Sequence, residues 1–463
     1  MKNCIEHPFI MRIGKKFLPK SIRKILHVLH DRATILTHTI RINGFVKTYK
    51  ELLPVYSYNL VGIFFSIPTA LFIFMLMPII KIRLVRLLSE RIGHFALNTE
   101  LLLCAFDKNI LKKKGENNAV QYFFYTHRIV SNKQLLKMWK RLMPVLPFPV
   151  IFLQVDKILS FFSSQYRNDP VKTTVQNGRW VQDRLRLLEQ VPQPHLIFTP
   201  EEEKNGVVLM EKLGISPQKK YVCFVVRDSS YLEKIFPLTG WSYHAHRNAD
   251  VTTYKKAVLF LAENGYHVVR MGKHVANHFN VEHPHVIDYA NHSLRCDFLD
   301  IYLSSRCEFF MSTSTGLDAV PQIFRRHLLF SNISIRGGFP LHGLLILKKI
   351  KNKKTGKFLM LNEMREIVFQ GSPHEEDFFV KNHLELLDNT KDEIMELVQE
   401  MDRRVTGMWQ ETEVDREEQK YFLKMYCFFS GENVNSVRVK IGRDFFKNNF
   451  LSLYETGVTD DIQ

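Results

Sequence analysis

The sequence predicts an α/β protein built on doubly wound parallel sheets. From Lys219 onward, short apolar runs alternate with helix-like segments of about 10 to 15 residues, the pattern of strand–helix–strand units with parallel strands. Polar and Gly-rich turns follow several of these runs. With 463 residues, 45% of them hydrophobic, the chain is long enough for two large domains with full cores.

The predicted elements of the second half are bounded by turn residues. We expect strands at Tyr221 to Val226, Tyr266 to Met271, Val286 to Tyr289, Cys307 to Met311 and His327 to Phe330. We expect helices at Thr252 to Asn264, Asp297 to Ser304 and Leu317 to Phe324. Gly265 suits the position just after a helix.

The first half holds two further predicted strand–helix units, and the C-terminal region is predicted to be largely helical. The predicted strands are Ile79 to Leu88 and Gln121 to Tyr125, and the predicted helices are Phe95 to Phe106, Asn132 to Leu142 and Arg179 to Leu188. The resulting division is an N-terminal membrane-associating segment, a first and a second Rossmann-like domain, and a C-terminal helical region, at residues 1–80, 81–200, 201–370 and 371–463.

Residues 61–80 are apolar and carry no charge, and basic residues flank them on both sides. This length is about what a helix needs to cross a bilayer. Three interpretations stay open: a helix that lies in or dips into the membrane, a true span, or a buried core helix. The basic stretch Lys15 to Lys24 favours an anionic membrane surface.

Charge and cysteine usage limit the class of partner and the compartment. The net charge of +17 favours anionic partners, and the clearest basic clusters are Lys112 to Lys114 and Lys348 to Lys357, each of which is also typical of a solvated loop. No zinc-knuckle spacing or Arg/Gly-rich tail is present, so nucleic acid is not expected. The six cysteines are scattered without a C-x-x-C pair, which indicates a reducing compartment, and Cys104, Cys223 and Cys307 lie in apolar runs that predict buried thiols.

Polar groups follow each predicted strand of the second domain. They are Arg227 and Asp228 after the first strand, Arg247 and Asn248 in the following loop, Gly272 after the second, Asp288 after the third, and Ser312, Thr313, Ser314, Thr315, Gly316 and Asp318 around the fourth. Carboxyl ends of parallel strands share one edge, so these groups are expected to converge there. Two arginines, hydroxyls and a helix start suit a diphosphate.

Each of these groups also has a structural interpretation. Asp228 is equally suited to capping a helix, Arg247 and Asn248 to ordinary loop structure, and the Ser/Thr turn to a helix cap. His244 and His246 have a spacing compatible with a metal, but no third ligand is near, so no metal site is expected.

In the first domain, Arg91, Gly93 and His94 lie between a strand and a helix. Gly93 allows a close approach to the backbone, and His94 is a candidate general base or a structural histidine. No G-x-S-x-G elbow and no P-loop motif is present, which argues against a serine hydrolase and a P-loop NTPase.

Three strings carry a family resemblance. They are YVCFVVRDSSYL, HAHRNADVTTYKKAVLFLAENGYHVVRMG and IDYANHSLRCDFLDIYLSSRCEFFMSTSTGLDAVPQIF, with RIGHFALNTELLL and NTKDEIMELVQEMDRRVTGMW at either side. Over roughly residues 79–410 the chain resembles a family of bacterial glycosyltransferases from surface-polysaccharide gene clusters. The second domain also resembles, more distantly, the nucleotide-binding halves of GT-B enzymes, including fucosyltransferases. Arg227 matches their diphosphate-binding arginine, while Val225 stands where their histidine would be.

The resemblance implies a GT-B-like architecture and a glycosyltransferase activity. A nucleotide-sugar donor would lie on residues 219–335, held by Arg227, Arg247 and the turn at 312–316, with Asp288 or Asp318 at the ribose or base. A glycan or lipid-linked acceptor would bind near Arg91 and Gly93, with His94 as base. No tightly bound cofactor or metal is implied, because cationic side chains can stabilise the leaving diphosphate. The C-terminal region would pack back on the first domain.

The implied setting is surface-polysaccharide or lipopolysaccharide synthesis at the cytoplasmic face of a bacterial inner membrane, as a peripheral or monotopic protein or one with a single span. The alternative is a non-catalytic sugar-nucleotide or polysaccharide-binding protein with the same fold.

Overall fold

The computed structural model describes residues 62, 64–111, 120–172, 182–235, 242–368 and 378–450. The chain divides into two compact units, residues 1–66 and 67–463, and the description below concerns the second unit. The predictions about Lys15 to Lys24 and about Lys112 to Lys114 lie outside the described residues.

The described strands follow one another along the whole second unit. They are β1 Ile82–Arg86, β2 Gln121–Tyr125, β3 Tyr221–Val225, β4 His267–Arg270, β5 Val286–Ile287, β6 Phe309–Ser312, β7 His327–Ile333, β8 His342–Leu347, β9 Lys349–Asn352, β10 Leu384–Leu387 and β11 Arg438–Ile441.

Helices connect and cover these strands. They are α1 Thr99–Asp107, α2 Lys133–Leu142, α3 Pro149–Phe162, α4 Ser164–Arg167, α5 Leu187–Gln190, α6 Pro200–Lys212, α7 Ser230–Ile235, α8 Lys255–Glu263, α9 Asp297–Arg306, α10 Ala319–Ile323, α11 Leu361–Val368, α12 Phe378–Lys381, α13 Lys391–Val405, α14 Glu413–Ser430 and α15 Arg443–Phe450. A single π-helical turn, His94–Asn98, leads into α1, and 3₁₀ turns occupy Ser242–Arg247, Val251–Tyr254, Tyr289–Asn291 and Val434–Ser436.

Seven of the described strands form one parallel sheet in the order β11-β8-β7-β6-β3-β4-β5. Without β11 this is the strand order of the doubly wound dinucleotide-binding fold. From β3 the chain first builds outward through β4 and β5, and then returns to build the other side from β6. The sheet therefore has a topological switch point between β3 and β6, and the predicted α/β class with a large parallel sheet is confirmed.

The central strands of this sheet are buried because they carry apolar residues at successive positions, as strands covered on both faces do. All of β3 and β6 is buried. Cys223 and Cys307 lie in this core as free thiols, and Cys104 is buried within α1, as the sequence predicts.

The first strand–helix units form a smaller structure. β1 and β2 pair in parallel, and Phe124 makes an isolated bridge to Val145. One face of this pair is covered by the core around Phe95 and Trp139, the other by α3 and the helical residues 67–76. Two paired strands are fewer than a doubly wound domain has, so a Rossmann-like domain at 81–200 stays a prediction. The expected helix Arg179 to Leu188 begins outside the described residues, and the described part is helical only at α5.

The apolar segment exposes most of its side chains. Residues 67–76 are helical, and Leu71, Phe72 and Met75 are each more than half exposed. This exposure does not fit the interpretation of a buried core helix. Within the described part of the chain, no helix combines the length and the apolar character needed to cross a membrane.

The C-terminal region contributes strands as well as helices. β11 extends the large sheet beside β8, and β10 pairs antiparallel with β9. In the basic run from Lys348, residues 349–352 form β9, whereas residues 353–357 form an exposed turn, as expected of a solvated loop; buried Lys348 binds Asp388 at 2.7 Å. Arg184 binds Glu432 at 2.5 Å, which ties α14 to the segment before α5. The proposed packing of this region on a first domain stays a prediction.

Candidate functional site

A cavity of about 420 Å³ opens at the carboxyl ends of β3 and β6, at the switch point of the large sheet. Such switch points are where open α/β sheets bind ligands, because the loops diverge there and leave a crevice. The cavity is lined by these predicted site residues: Arg91, Gly93, His94, Arg227, Asp228, Arg247, Gly272, Ser314, Thr315, Gly316 and Asp318.

The turn after β6 is folded by its own hydroxyl groups. The Ser312 hydroxyl donates to Asp318 Oδ2 at 2.8 Å and accepts from the Thr315 amide at 3.2 Å. Ser314 adopts a left-handed conformation with φ of 59°, and its hydroxyl donates to the Gly338 carbonyl at 2.6 Å. Ser312 is buried beneath the turn, so it shapes the site, whereas Ser314, Thr315 and Gly316 face the cavity.

The helix after this turn is shorter than expected. The sequence predicts Leu317 to Phe324, and α10 spans five residues, Ala319–Ile323. A five-residue helix has a small dipole, so an anion here would depend mainly on backbone amides and cationic side chains.

Asp318 lies where the turn enters α10. Burial raises the pKa of its carboxyl group to about 6, although the Ser312 hydroxyl, the Thr315 amide and the Arg247 guanidinium act in the opposite direction. Near neutral pH this carboxylate therefore retains a small protonated fraction. It lines the cavity wall, and its expected contact to a ribose or base stays a prediction.

Two arginines reach the cavity from loops that are fixed to this turn. The Arg227 amide donates to Thr313 Oγ1 at 2.8 Å, which joins the loop after β3 to the turn after β6. The Arg247 guanidinium donates to the Ser314 carbonyl, and its Nε would lie 2.8 Å from a Cβ at Gly338. Gly338 has φ of 78°, so glycine serves both the backbone conformation and the close approach of Arg247.

The loops after β3 and β4 are held together by Asp228. One carboxylate oxygen accepts from the Ser230 amide at 3.0 Å at the start of α7, and the other accepts from the Ala276 amide at 2.9 Å. Both oxygens thus serve the loop structure, in agreement with the capping interpretation. Gly272 follows β4, and a Cβ there would lie 2.8 Å from Val275 Cγ1, so the chain is closely packed at this point.

Four predicted site residues lie outside the cavity lining: Asn248, Asp288, Ser312 and Thr313. Asp288 pairs with Arg270 at 3.4 Å and accepts from the Phe279 amide at 3.0 Å, so its carboxylate holds the loop after β4. The Asn248 carbonyl accepts from Lys348 Nζ at 2.6 Å.

The opposite wall of the cavity comes from the loop after β1. A Cβ at Gly93 would lie 3.0 Å from both Cα and the carbonyl oxygen of Gly316, so the two backbones touch there. The next residues form the π-helical turn His94–Asn98, a feature frequent at functional sites. Gly93 therefore brings the predicted acceptor wall against the predicted donor turn.

His94 is half-buried on this wall. Burial lowers the pKa of its imidazole, and the nearby Arg91 lowers it further, while the neighbouring Asn98 side chain and the charge of Glu90 raise it. A histidine with a lowered pKa is neutral at neutral pH and can accept a proton.

Several cavity residues were missed by the sequence interpretation. His342, at the start of β8, has its pKa lowered to about 4 chiefly by burial. Buried Asp300 has its pKa raised to about 6 by burial, and the Tyr289 hydroxyl donates to it at 3.0 Å. In the sequence, the adjacent glycines Gly337 and Gly338 after β7 could have indicated that another loop reaches the cavity.

The expected absence of a metal site stays a prediction. His244 lines the cavity, whereas His246 Nδ1 lies 2.9 Å from Ser334 Oγ, so the two do not converge. Among the described residues, one group has ligand atoms close enough for a metal, namely Glu100, Cys104 and His195. Arg325 Nη1 already binds Glu100 Oε1 at 2.7 Å, so a cation there would compete with a guanidinium.

No protein-family model and no curated protein matches this sequence. Among solved structures, the chain is similar to a family 9 glycosyl transferase from Veillonella parvula, with 8% identity, a TM-score of 0.35, and coverage of 58% of this chain and 85% of that one. It is also similar to the ADP-heptose lipopolysaccharide heptosyltransferase II of E. coli, with 11% identity, a TM-score of 0.32, and coverage of 58% and 90%. Both TM-scores lie below 0.5, so the function proposed below rests on the cavity rather than on these similarities.

Proposed function

We propose that this protein is a glycosyltransferase that moves a sugar from a nucleotide-sugar donor to a glycan or lipid-linked acceptor. One observation carries the proposal: Arg227, Arg247 and the turn Ser314 to Asp318 share one cavity at the switch point of a doubly wound sheet. Two arginines beside a Gly-containing turn suit the two phosphates of such a donor.

The donor half of the cavity is rigidly built, which supports binding of a defined ligand. Thr313 fixes the Arg227 loop, and the Ser314 carbonyl fixes Arg247, so the two cationic loops are tied to the same turn. Fixed cations stabilise charge that develops on a leaving group without having to reorganise. In this proposal Arg227 and Arg247 hold the diphosphate, and Asp318 faces the ribose or base.

The acceptor half of the cavity is the wall of Arg91, Gly93 and His94. In the proposed step, an acceptor hydroxyl gives its proton to the His94 imidazole while its oxygen bonds to the anomeric carbon. The bond from that carbon to the diphosphate breaks, and the electron pair leaves with the diphosphate toward Arg227 and Arg247. The lowered pKa of His94 supports this role, because the neutral ring is the form that accepts a proton.

The wider proposal follows the resemblance of the sequence to glycosyltransferases of surface-polysaccharide gene clusters. It comprises a GT-B-like arrangement, a role in surface-polysaccharide or lipopolysaccharide synthesis, no requirement for a bound metal, and a place at the cytoplasmic face of a bacterial inner membrane. The net charge of +17 supports an anionic membrane partner.

The test is a panel of UDP-, GDP-, CMP-, dTDP- and ADP-sugars, with the melting temperature and the release of the nucleotide (the diphosphate, or CMP from a CMP-sugar) as readouts. One nucleotide class is expected to raise the melting temperature and to be turned over with a glycan acceptor. Arg227→Ala should weaken its binding by about ten- to a hundredfold, the loss of a charge-assisted hydrogen bond. Arg403→Ala, an exposed arginine on α13, is the matched control and should bind normally.

The outcomes separate the alternatives. Selective binding without turnover for any acceptor would favour a non-catalytic sugar-nucleotide-binding protein. If both Arg227→Ala and Ser314→Ala kept full donor binding, the donor site would lie elsewhere.

A further inference from the structure

A second pocket lies at the carboxyl ends of β1 and β2, apart from the cavity of the large sheet. It has a volume of about 490 Å³ and is lined by Arg86 and Tyr125 from the strand ends and by Lys157, Phe161 and Arg167 from α3 and α4. None of these residues lines the first cavity, so this basic pocket has no part in the proposed transfer.

The charge of the basic pocket is positive. Arg86 is offset by Glu90 at 2.6 Å. The acidic group in the pocket, Asp156, forms an ion pair with buried Lys172. Lys157 and Arg167 are exposed at the rim, and among the described residues neither forms an ion pair with a carboxylate. Two uncompensated cations therefore face the pocket.

The floor of the basic pocket is a buried polar network. Asp156 accepts from the Tyr125 hydroxyl at 2.7 Å and from the Tyr166 hydroxyl at 2.9 Å. The Lys172 ammonium also lies 3.7 Å from the centre of the Tyr166 ring. Because the Asp156 carboxylate is fully engaged with these donors, it is held away from an incoming anion. The pocket can thus accept a phosphate although a carboxylate lines it.

Next to the basic pocket lies an exposed apolar patch. Helical residues 67–76 pack on α3 through Ala70 and Ile73, which share a core with Val155 and Leu159. Exposed side chains of this helix, of the turn that follows it and of the end of α3 are between 58% and 80% exposed: Leu71, Phe72, Met75, Ile79, Phe161 and Phe162. Phe161 also lines the basic pocket, so the exposed apolar end of α3 adjoins the pocket.

We propose that the patch and the basic pocket together dock the protein on an anionic lipid bilayer, with one lipid headgroup phosphate in the pocket between Lys157 and Arg167. The apolar side chains enter the boundary between headgroups and acyl chains, as the apolar face of an interfacial helix does. The cations meet the negative surface of the same leaflet, and their long stems let them follow the headgroups. This inference holds whether or not the first cavity transfers a sugar.

The experiment is co-sedimentation of the full chain with vesicles of phosphatidylcholine alone and of equal parts phosphatidylcholine and phosphatidylglycerol. The wild-type protein should bind the anionic vesicles more tightly. Lys157→Glu with Arg167→Glu should weaken that binding by about tenfold or more, since each cation near an anionic surface contributes measurably to affinity. Lys204→Glu with Lys212→Glu on α6, which makes the same change in net charge, should weaken it much less.

Three further measurements test the apolar contact with lipid and the need for a lipid surface. Phe161→Ser with Phe162→Ser should weaken binding to both kinds of vesicle. A Phe161→Trp variant should gain tryptophan fluorescence that brominated lipids quench, measured against the wild-type background. Free glycerol phosphate should not displace the protein from vesicles, because the proposal needs a lipid surface rather than a soluble phosphate.

The proposal is overturned if the wild-type protein binds neither kind of vesicle. It is overturned equally if both charge-reversed pairs lose the same affinity, or if the added fluorescence of the Phe161→Trp variant stays unquenched while the protein is bound. A normal nucleotide-sugar response in the Lys157→Glu, Arg167→Glu protein shows that it is folded, and failure of the proposed transferase activity would leave these vesicle results unaffected.

Discussion

Replacing Gly93 by alanine tests the contact that joins the two walls of the cavity. Gly93 has φ of −61° and ψ of −49°, a conformation that alanine adopts without strain. Alanine lowers the conformational entropy of the unfolded chain relative to glycine. Through this effect alone, the change should stabilise the protein by about 0.4–1 kcal/mol. The new Cβ would, however, lie 3.0 Å from two backbone atoms of Gly316, which cannot rotate away.

Forcing a methyl group into such a contact costs about 1–3 kcal/mol. The net expectation is a loss of about 0–2.6 kcal/mol in the free energy of unfolding, with weaker binding of the donor because the turn after β6 is pushed aside. Gly316→Ala is the matched comparison: its Cβ would lie 3.3 Å from the Gly93 nitrogen, so it should be milder.

The measurement is chemical denaturation of the wild-type protein and both variants, followed by titration with the nucleotide sugar that the panel identifies. If Gly93→Ala is more stable than the wild-type protein and binds the donor normally, the two walls are not in contact and the reasoning fails.

Three other changes follow from the same geometry. Arg247→Lys keeps the charge but loses the planar group that packs on Gly338, so donor binding should fall about tenfold in calorimetric titration, whereas Arg403→Lys should not alter it. Because the pKa of Asp318 is raised, the folded state holds a proton between pH 4 and pH 6 that the unfolded state has released. The contribution of Asp318 to stability is therefore greatest below pH 4, falls as the pH rises to about 6 and is then constant. Asp318→Asn should flatten this part of the profile of unfolding free energy against pH. Arg325→Ala removes the guanidinium from buried Glu100, which still has His195 at 3.1 Å, and should cost about 1.5–3 kcal/mol in unfolding free energy, part of it regained when Glu100→Gln is added. Equal stability of the Arg325→Ala and wild-type proteins would contradict the buried ion pair.

The large sheet could be read from the sequence because its strands are buried on both faces. Tyr221 to Val225 and Phe309 to Ser312 appear in the sequence as short apolar runs between helical segments, which is the pattern of strands covered on both faces. The order of polar residues after each run then placed Arg227 and the Ser/Thr turn at one edge. These predictions needed only local sequence and the rules of parallel sheets.

Strands that depend on distant partners were not predictable in this way. β11 is a four-residue strand in a helical region, and it forms because β8, nearly a hundred residues earlier, offers a free edge. β9 alternates lysines with apolar residues and resembles a solvated basic run until its pairing with β10 is known.

The roles of individual side chains in the site could not be predicted from the sequence either. Asp228 and Asp288 look like ligand-binding residues by position, yet hydrogen bonds to nearby amides engage both. Conversely, the contact of Gly93 with Gly316 joins positions more than two hundred residues apart and has no signal in either local segment. The folded structure is needed to tell which polar groups are engaged in hydrogen bonds within the loops and which face the cavity.

The most direct test of the proposed diphosphate site is calorimetric titration of the wild-type protein and Arg247→Ala with the nucleoside diphosphate and the nucleoside monophosphate of the donor found by the panel. The wild-type protein should bind the diphosphate at least about tenfold more tightly than the monophosphate, and Arg247→Ala should lose most of that preference. Equal affinity for the two nucleotides, or a preference that survives in Arg247→Ala, would contradict the assignment of this cavity as a diphosphate site.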